Sequence, residues 1–297
     1  MNPPGAILVA IDFSLPSRHA ADRAARLARE TFMPLTLMHA LSSRVVDELR
    51  HWLGTGHQAE QRLIAETGQQ LRQLADELAA TQQVAVQCCL ATGPVLDVIS
   101  QEGEAVNAGL LVLGARGAGF LRRLVLGTTS ERLLRRSTRP MLVVKQMPRE
   151  PYRHALVALD FSPGSAQSIA LARWVAPQAR LLLLNAFEVP FKGRLQFAGV
   201  DPPAIEHYRQ QARRKARQQL DTLALQAGLQ PAQWDACVVE GEAWQCIVEQ
   251  EQAHDCDLVV VGKHGQSAAE ELLLGSVTKS VLAEGSCDVL VSMTRAD

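Results

Sequence analysis

The sequence predicts an α/β protein built from two tandem, doubly wound parallel-sheet domains of five strands each. Short runs of Leu, Ile and Val alternate with amphipathic helical segments, which is typical of a parallel sheet covered by helices on both faces. The same order of segments then occurs a second time along the chain. A chain of 297 residues is long enough for two such domains.

The first copy begins with a strand at residues 7–11, followed by a turn that contains Pro16. The next helix has Ser17 as its candidate N-cap and places small apolar residues on one face at spacings of three and four. The remaining elements are predicted in this order: strand 35–41, a long helix around 57–80, strand 84–90, a helix after Gly93, strand 110–113 and strand 141–144.

The second copy repeats the first at a spacing of 148 residues. The segment ILVAIDFSLPSRHAADRAARLA (7–28) recurs as ALVALDFSPGSAQSIALARWVA (155–176), so Asp12 corresponds to Asp160. LLVLGARG (110–117) recurs as LVVVGKHG (258–265) at the same spacing. Two prolines and mixed charges separate the copies, which predicts domains at residues 1–147 and 152–297.

One segment departs from this spacing. Strand two ends at Ala40 and Ala186, 146 residues apart, so we expect a small insertion after it in the second copy. We assign it to residues 187–204, which are rich in Pro, Gly and Phe. A lid over a ligand site, a partner-binding surface and a loop packed into the domain's own core all fit this composition.

Composition excludes several classes of function. A net charge of −1 provides no electrostatic attraction to nucleic acid or anionic lipid, and no apolar run is long enough to cross a membrane. The first residues lack the pattern of a signal peptide, so a cytoplasmic location is expected. The six cysteines show no zinc-binding spacing, which favours reduced thiols and no protein-bound metal.

Glycines follow the fourth strand of each copy in the same pattern. Gly114-Ala-Arg-Gly117 precedes Gly127-Thr128 by nine residues, and Gly262-Lys-His-Gly265 precedes Gly275-Ser276 by nine. Glycine lets the main chain approach a phosphate closely, and a helix N-terminus favours an anion. A simple strand-to-helix turn also fits a single copy, and Thr128 and Ser276 are placed either as helix caps or as phosphate donors.

This glycine pattern, after a first strand that ends in Asp-Phe-Ser, resembles the universal stress protein family in its tandem form. The resemblance implies Rossmann-like domains that pair as an internal pseudo-dimer, with a homodimer as a further option. It implies a cytoplasmic stress-response protein that binds ATP or a related adenine nucleotide, with or without Mg²⁺, in one or both domains. It also implies a protein partner, which the sequence does not identify.

By position in the motif, the resemblance assigns Asp12 to the nucleoside end and Ala40 to the adenine. It assigns the ribose and phosphates to Gly114, Arg116 and Gly117, and the phosphate chain to Gly127, Thr128, Thr129 and Ser130. The matching residues of the second copy are Asp160, Ala186, Gly262, His264, Gly265, Gly275, Ser276, Val277 and Thr278. Asp12 and Asp160 are equally suited to an Asx turn before the helix, and the two roles are compatible.

The two loops differ in charge. Arg122 and Arg123 lie between the outer glycines of the first copy, where the second has Glu270 and Glu271. Facing a triphosphate, the glutamates would weaken binding, so the first copy is predicted to be the better site. A solvated helix face or a magnesium-binding role fits the glutamates as well.

No sequence motif for catalysis is present. The chain has no phosphate-binding loop of the Walker type, no nucleophile elbow and no metalloprotease helix, and His39 and His264 have no sequence partner that would activate a nucleophile. We therefore predict a nucleotide-binding regulator that is not an enzyme, leaving weak ATP hydrolysis open. A ligand-free interaction protein and an enzyme of adenylyl or phosphoryl transfer are the alternatives.

Overall fold

The computed structural model describes residues 5–44, 56–115, 127–189, 202–265 and 274–293, and the chain divides into two compact units, Met1–Glu150 and Pro151–Asp297. Within these described ranges, each unit has five strands that pair in parallel, with helices between them. The predicted fold class of two tandem doubly wound α/β domains is confirmed.

The first unit has the strand order β3-β2-β1-β4-β5. Its elements are β1 (Ile7–Ile11), α1 (Leu15–Thr31), β2 (Leu35–Ser42), α2 (Gly56–Gln82), β3 (Val86–Gly93), α3 (Val95–Ala105), β4 (Leu110–Gly114), α4 (Thr128–Arg136) and β5 (Met141–Val144).

The second unit repeats this topology with the strand order β8-β7-β6-β9-β10. Its elements are β6 (His154–Ala158), α5 (Ser165–Val175), β7 (Arg180–Phe187), α6 (Pro202–Gln226), a 3₁₀ turn (Pro231–Gln233), β8 (Trp234–Glu240), α7 (Ala243–Ala253), β9 (Leu258–Gly262), α8 (Ser276–Glu284) and β10 (Asp288–Ser292).

The central strands are buried on both faces, which explains their unbroken apolar sequences. In the first unit α1 contacts α2, and α3 contacts α4, so that one pair of helices covers each face of the sheet. Side chains that point to either face of β1 therefore enter a core, and Ile7, Leu8 and Val9 are all fully buried. The strand pattern follows from burial on two sides.

The structure corrects the predicted start of α1. Ser14, and not Ser17, is the N-cap: the Ser14 hydroxyl accepts a hydrogen bond from the Ser17 N–H at 3.4 Å. Pro16 lies inside the first turn, where its missing N–H removes no helical hydrogen bond. The buried Ser17 hydroxyl instead donates to the Ser14 carbonyl oxygen at 3.0 Å.

The assignment of the insertion to residues 187–204 is also wrong. The connection from the second strand to the long helix comprises residues 43–55 in the first unit and 188–201 in the second, so it is longer by a single residue. The connection from the long helix to the third strand comprises residues 83–85 and 227–233 and is four residues longer in the second unit, while α6 is two residues shorter than α2, so the extra length arises here. Residues 190–201, which carry the proposed lid or partner-binding surface, lie outside the described residues.

Candidate functional site

In the second unit, a cavity of about 280 Å³ lies at the carboxyl ends of the parallel strands. β6 lies between β7 and β9, so the strand order of the sheet reverses at β6. Ligands of doubly wound folds bind at such a reversal. All nine residues predicted for this unit line the cavity: Asp160, Ala186, Gly262, His264, Gly265, Gly275, Ser276, Val277 and Thr278. Their role as ligand contacts stays a prediction.

The two aspartates after the first strand of each unit form Asx turns. Asp12 Oδ1 accepts from the Ser14 N–H at 3.1 Å and from the Ser14 hydroxyl at 2.5 Å. Asp160 Oδ1 accepts from the Ser162 N–H at 3.0 Å. The structural role considered for these residues is therefore confirmed, and it is compatible with a ligand contact because a carboxylate has several acceptor positions.

The residue after each aspartate has a left-handed main-chain conformation. Phe13 has φ 62° and Phe161 has φ 61°. This conformation costs an L-residue other than glycine about 1–2 kcal/mol, so the surrounding contacts must hold it in place. Its occurrence at the same position in both units shows that they share this turn geometry.

His39 and Asn185 support these turns, a role that the sequence did not reveal. His39 Nδ1 lies 2.8 Å from the carbonyl oxygen of Ile11, and because a carbonyl only accepts, Nδ1 carries the proton. Asn185 Nδ2 donates to the Leu159 carbonyl oxygen at 2.8 Å. Each bond ties the second strand to the residue before the aspartate. A polar residue at the equivalent position of the second strand in both copies was the available signal.

Between the described ends of each glycine loop there are two hydrogen bonds, and they connect the same positions in both units. In the second unit the Gly275 N–H donates to the Lys263 carbonyl oxygen at 2.9 Å, and the Thr278 hydroxyl donates to the Gly262 carbonyl oxygen at 2.6 Å. In the first unit the corresponding bonds are Gly127 N–H to Ala115 at 2.8 Å and the Ser130 hydroxyl to Gly114 at 3.1 Å. The hydroxyl protons of Thr278 and Ser130 therefore hold the loop.

The loops end at the N-termini of α4 and α8. The N-caps are Gly127 and Gly275 without a side-chain cap, so the helix-cap role considered for Thr128 and Ser276 is wrong. The first helical hydrogen bond of α8 comes from the Lys279 N–H to the Gly275 carbonyl oxygen at 2.9 Å, which leaves the preceding N–H groups without an acceptor inside the helix.

The positions concerned are Thr128, Thr129 and Ser130 in the first unit and Ser276, Val277 and Thr278 in the second. Main-chain N–H groups at a helix N-terminus bind anions irrespective of the side chain. This explains how Val277, which has no polar side chain, fits among predicted phosphate contacts.

Gly114 is required by the packing of α1 on the end of β4. A Cβ atom at this position would lie 2.8 Å from the main-chain carbon and oxygen of Pro16. At Gly262 the nearest atom would be the His264 carbonyl oxygen at 3.1 Å. The two units thus use the same glycine with different tolerance for a side chain.

Some predicted residues lie outside the described part of the chain: Arg116 and Gly117 of the predicted site, and the four charged residues Arg122, Arg123, Glu270 and Glu271. The others of the first unit share one edge of the sheet. Gly114 approaches the first turn of α1, and the pairing of Ile11 with His39 places Ala40 just beyond it.

The described residues contain no group of three or more His, Cys, Asp or Glu side chains that could hold a metal ion. All six cysteines are free, and burial raises the pKa of Cys89 to about 11 and that of Cys256 to about 12, so these thiols are protonated at neutral pH. Within the described ranges, no helix combines the length and apolar character that crossing a bilayer requires.

The fold, the internal repeat and the crevice define an α/β protein of two tandem domains. In the second unit, a ligand-sized cavity lies where the strand order of the sheet reverses. The model of the universal stress protein family matches residues 5–145 and 151–292. The chain therefore belongs to the universal stress protein family and contains two of its domains.

Relatives share this two-domain length. A universal stress protein of Mycolicibacterium smegmatis is 28% identical over 303 aligned positions, which cover 97% of each chain. One of Mycobacterium tuberculosis is 28% identical over 302 positions and 96% of each chain. The crystal structure of a universal stress protein from Archaeoglobus fulgidus superposes with a TM-score of 0.69 at 16% identity, covering 97% of this chain and 98% of the other, and supports the fold.

Proposed function

We propose that this protein is a cytoplasmic stress-response regulator that binds ATP or a related adenine nucleotide, with or without Mg²⁺, in one or both crevices. Occupancy of a crevice would change the conformation or the partner choice of the protein. The observation that carries this proposal is the convergence of all nine residues predicted for the second unit on a single cavity.

The lining of this cavity has two chemically distinct parts. Leu184, Ala186, Ala243 and Ile247 provide an apolar wall suited to a flat base. The start of α8 provides main-chain N–H groups suited to phosphate, and the closed glycine loop holds them in place. A nucleotide has both properties in one molecule.

A regulatory role is favoured over catalysis because the sequence carries no catalytic motif and because one carboxylate oxygen of Asp160 is already engaged in the turn. Asp160 accepts the Asx-turn hydrogen bond and a further one from the Ser165 hydroxyl at 3.4 Å. Both bonds engage Oδ1, and this oxygen therefore holds the turn, whereas a general base directs its oxygen at a reacting water or hydroxyl. We expect ATP turnover by the purified protein to be no faster than that of the Asp160→Asn variant.

Release and identification of the small molecules that accompany the purified protein test the proposal directly. Adenine nucleotide should be recovered by denaturation and identified by chromatography and mass spectrometry, and ATP should bind the emptied protein in calorimetric titration. Recovery of no nucleotide, combined with no binding of ATP at millimolar concentration, would support the ligand-free interaction protein.

Gly275→Val tests the placement of the phosphates. A Cβ atom at Gly275 would lie 3.1 Å from the Lys263 carbonyl oxygen, at the point where the loop must close, so nucleotide binding by the second unit should fall at least about tenfold. The matched control is Gly68→Ala on α2, where the nearest contact would be an ordinary 3.5 Å and binding should not change. Circular dichroism of both variants separates loss of binding from loss of fold.

A further inference from the structure

The floor of the second crevice is polar, whereas the corresponding surface of the first unit is apolar. Ser168 of α5 and Ser292 at the end of β10 both line the cavity, and only 3% and 4% of their surfaces are exposed. Their hydroxyl oxygens lie 2.6 Å apart. The repeat places Ala20 and Val144, both fully buried, at these positions in the first unit.

Strand register supports this correspondence. Ser292 pairs with Gly262 at the end of β9, and Val144 pairs with Gly114 at the end of β4. The two glycines open the equivalent loops of the two units. The contrast between a serine pair and an alanine–valine pair therefore occurs at equivalent positions of the two units.

The serine pair has hydrogen-bonding capacity that the described residues do not use. The Ser168 hydroxyl also donates to the Gly164 carbonyl oxygen at 3.2 Å, so both hydroxyl protons have protein acceptors when Ser292 donates to Ser168. In that arrangement the Ser292 oxygen accepts from no donor among the residues that the structure describes. A buried oxygen that lines a cavity is stabilised when a bound molecule supplies the missing donor.

We infer that Ser292, held in place by Ser168, determines ligand specificity in the second crevice by accepting a hydrogen bond from a ribose hydroxyl group. This inference rests on the proposed function and names one polar contact within it. With the Ser168 proton on the Gly164 carbonyl oxygen, the floor presents an acceptor, so a phosphate, whose charged oxygens are also acceptors, is a poor match for it.

The position of Ser292 selects the ribose among the donors of a nucleotide. Its register partner Gly262 accepts a hydrogen bond from Thr278 in the first turn of α8, so the floor lies beside the helix end that presents N–H groups to phosphate. The ribose is the part of a nucleotide next to the phosphates, and its hydroxyls are neutral donors. The first unit, with Ala20 and Val144, lacks this contact.

Calorimetric titration of the full-length chain with ATP, 2′-deoxy-ATP and 3′-deoxy-ATP tests the inference. At least one deoxy analogue should bind one site of the wild-type protein about 5- to 10-fold more weakly than ATP, the loss typical of one neutral hydrogen bond. The double variant Ser168→Ala/Ser292→Val should bind ATP at that site more weakly than the wild-type protein by a similar factor. It should bind ATP and the deoxy analogue with equal affinity. Ser280→Ala on α8, which does not line the cavity, should behave as wild type.

Folding of the double variant is expected because it recreates the pair found in the first unit, and Ser292→Ala alone gives a second, less bulky test. Wild-type protein that binds all three nucleotides equally would overturn the inference, as would a double variant that retains the wild-type ratio. Both results leave ATP binding intact. Absence of ATP binding to wild-type protein would instead refute the proposed function.

Discussion

Replacing Thr278 by Val probes the closure of the second glycine loop. Thr278 is 3% exposed, and its hydroxyl donates to the Gly262 carbonyl oxygen at 2.6 Å. Valine has nearly the same shape, so the substitution removes the hydrogen bond and leaves little change in volume. The Gly262 carbonyl oxygen then loses this donor where the loop begins.

The expected cost follows from the partial burial of that bond. A typical hydrogen bond contributes about 0.5–1.5 kcal/mol, which corresponds to a fall in melting temperature of about 1–6 °C for a domain of about 150 residues. The loop ends should also separate, so that the N–H groups of α8 no longer converge. Nucleotide binding by the second unit should weaken together with stability.

Differential scanning calorimetry and urea unfolding measure the stability change, and titration with ATP measures the effect on binding. Thr222→Val provides the matched control, since Thr222 lies on the exposed side of α6 and its loss should change stability by no more than about 0.5 kcal/mol. If Thr278→Val had the same melting temperature as Thr222→Val and the wild-type protein, the loop-closing role of the hydroxyl would be refuted.

Two further variants test the packing and the electrostatics of the first unit. Gly114→Ala should destabilise the first unit by about 1–3 kcal/mol, because the new Cβ would lie 2.8 Å from the Pro16 main chain. Gly262→Ala should lower the free energy of unfolding by less. Equal losses of stability for the two variants in chemical unfolding would contradict the reasoning. Burial raises the pKa of the Glu30 carboxyl above its ordinary value of 4.5. This pKa shift stabilises the folded protein fully at pH values below the pKa of the unfolded state, and the stabilisation is lost as pH rises through the folded-state pKa. Glu30→Gln should therefore stabilise the protein at pH 7, by less than about 1 kcal/mol after solvent screening, and should show no gain near pH 3 in melting experiments; a destabilised variant at pH 7 would exclude this account.

Much of the fold could be predicted because burial on two faces leaves a direct record in the sequence. The strands β1 and β5 have the predicted bounds, and the others differ by one to three residues. The repeat at 148 residues located the second copy of each motif. Because parallel strands end at one edge of a sheet, residues that follow them were expected to meet, and in the second unit they line one cavity.

The errors concern local choices that several residues could satisfy. Ser14 and Ser17 are both good N-caps, and the Asx turn at Asp12 together with the left-handed Phe13 decided between them. The extra residues of the second unit fell after α6, because a helix can end early without any break in the apolar pattern. Sequence spacing alone does not distinguish these outcomes.

The sequence by itself determined the two α/β domains, the equivalence of their glycine loops and the family to which the chain belongs, since periodicity and repetition are properties of the chain. Only the tertiary structure revealed the contacts between distant residues that shape the crevice. Ser168 and Ser292 are 124 residues apart and meet in the crevice, and Thr278 closes a loop that begins at Gly262. Such pairs form because the sheet brings the ends of separate elements to one edge, where hydrogen-bond geometry selects which polar groups meet.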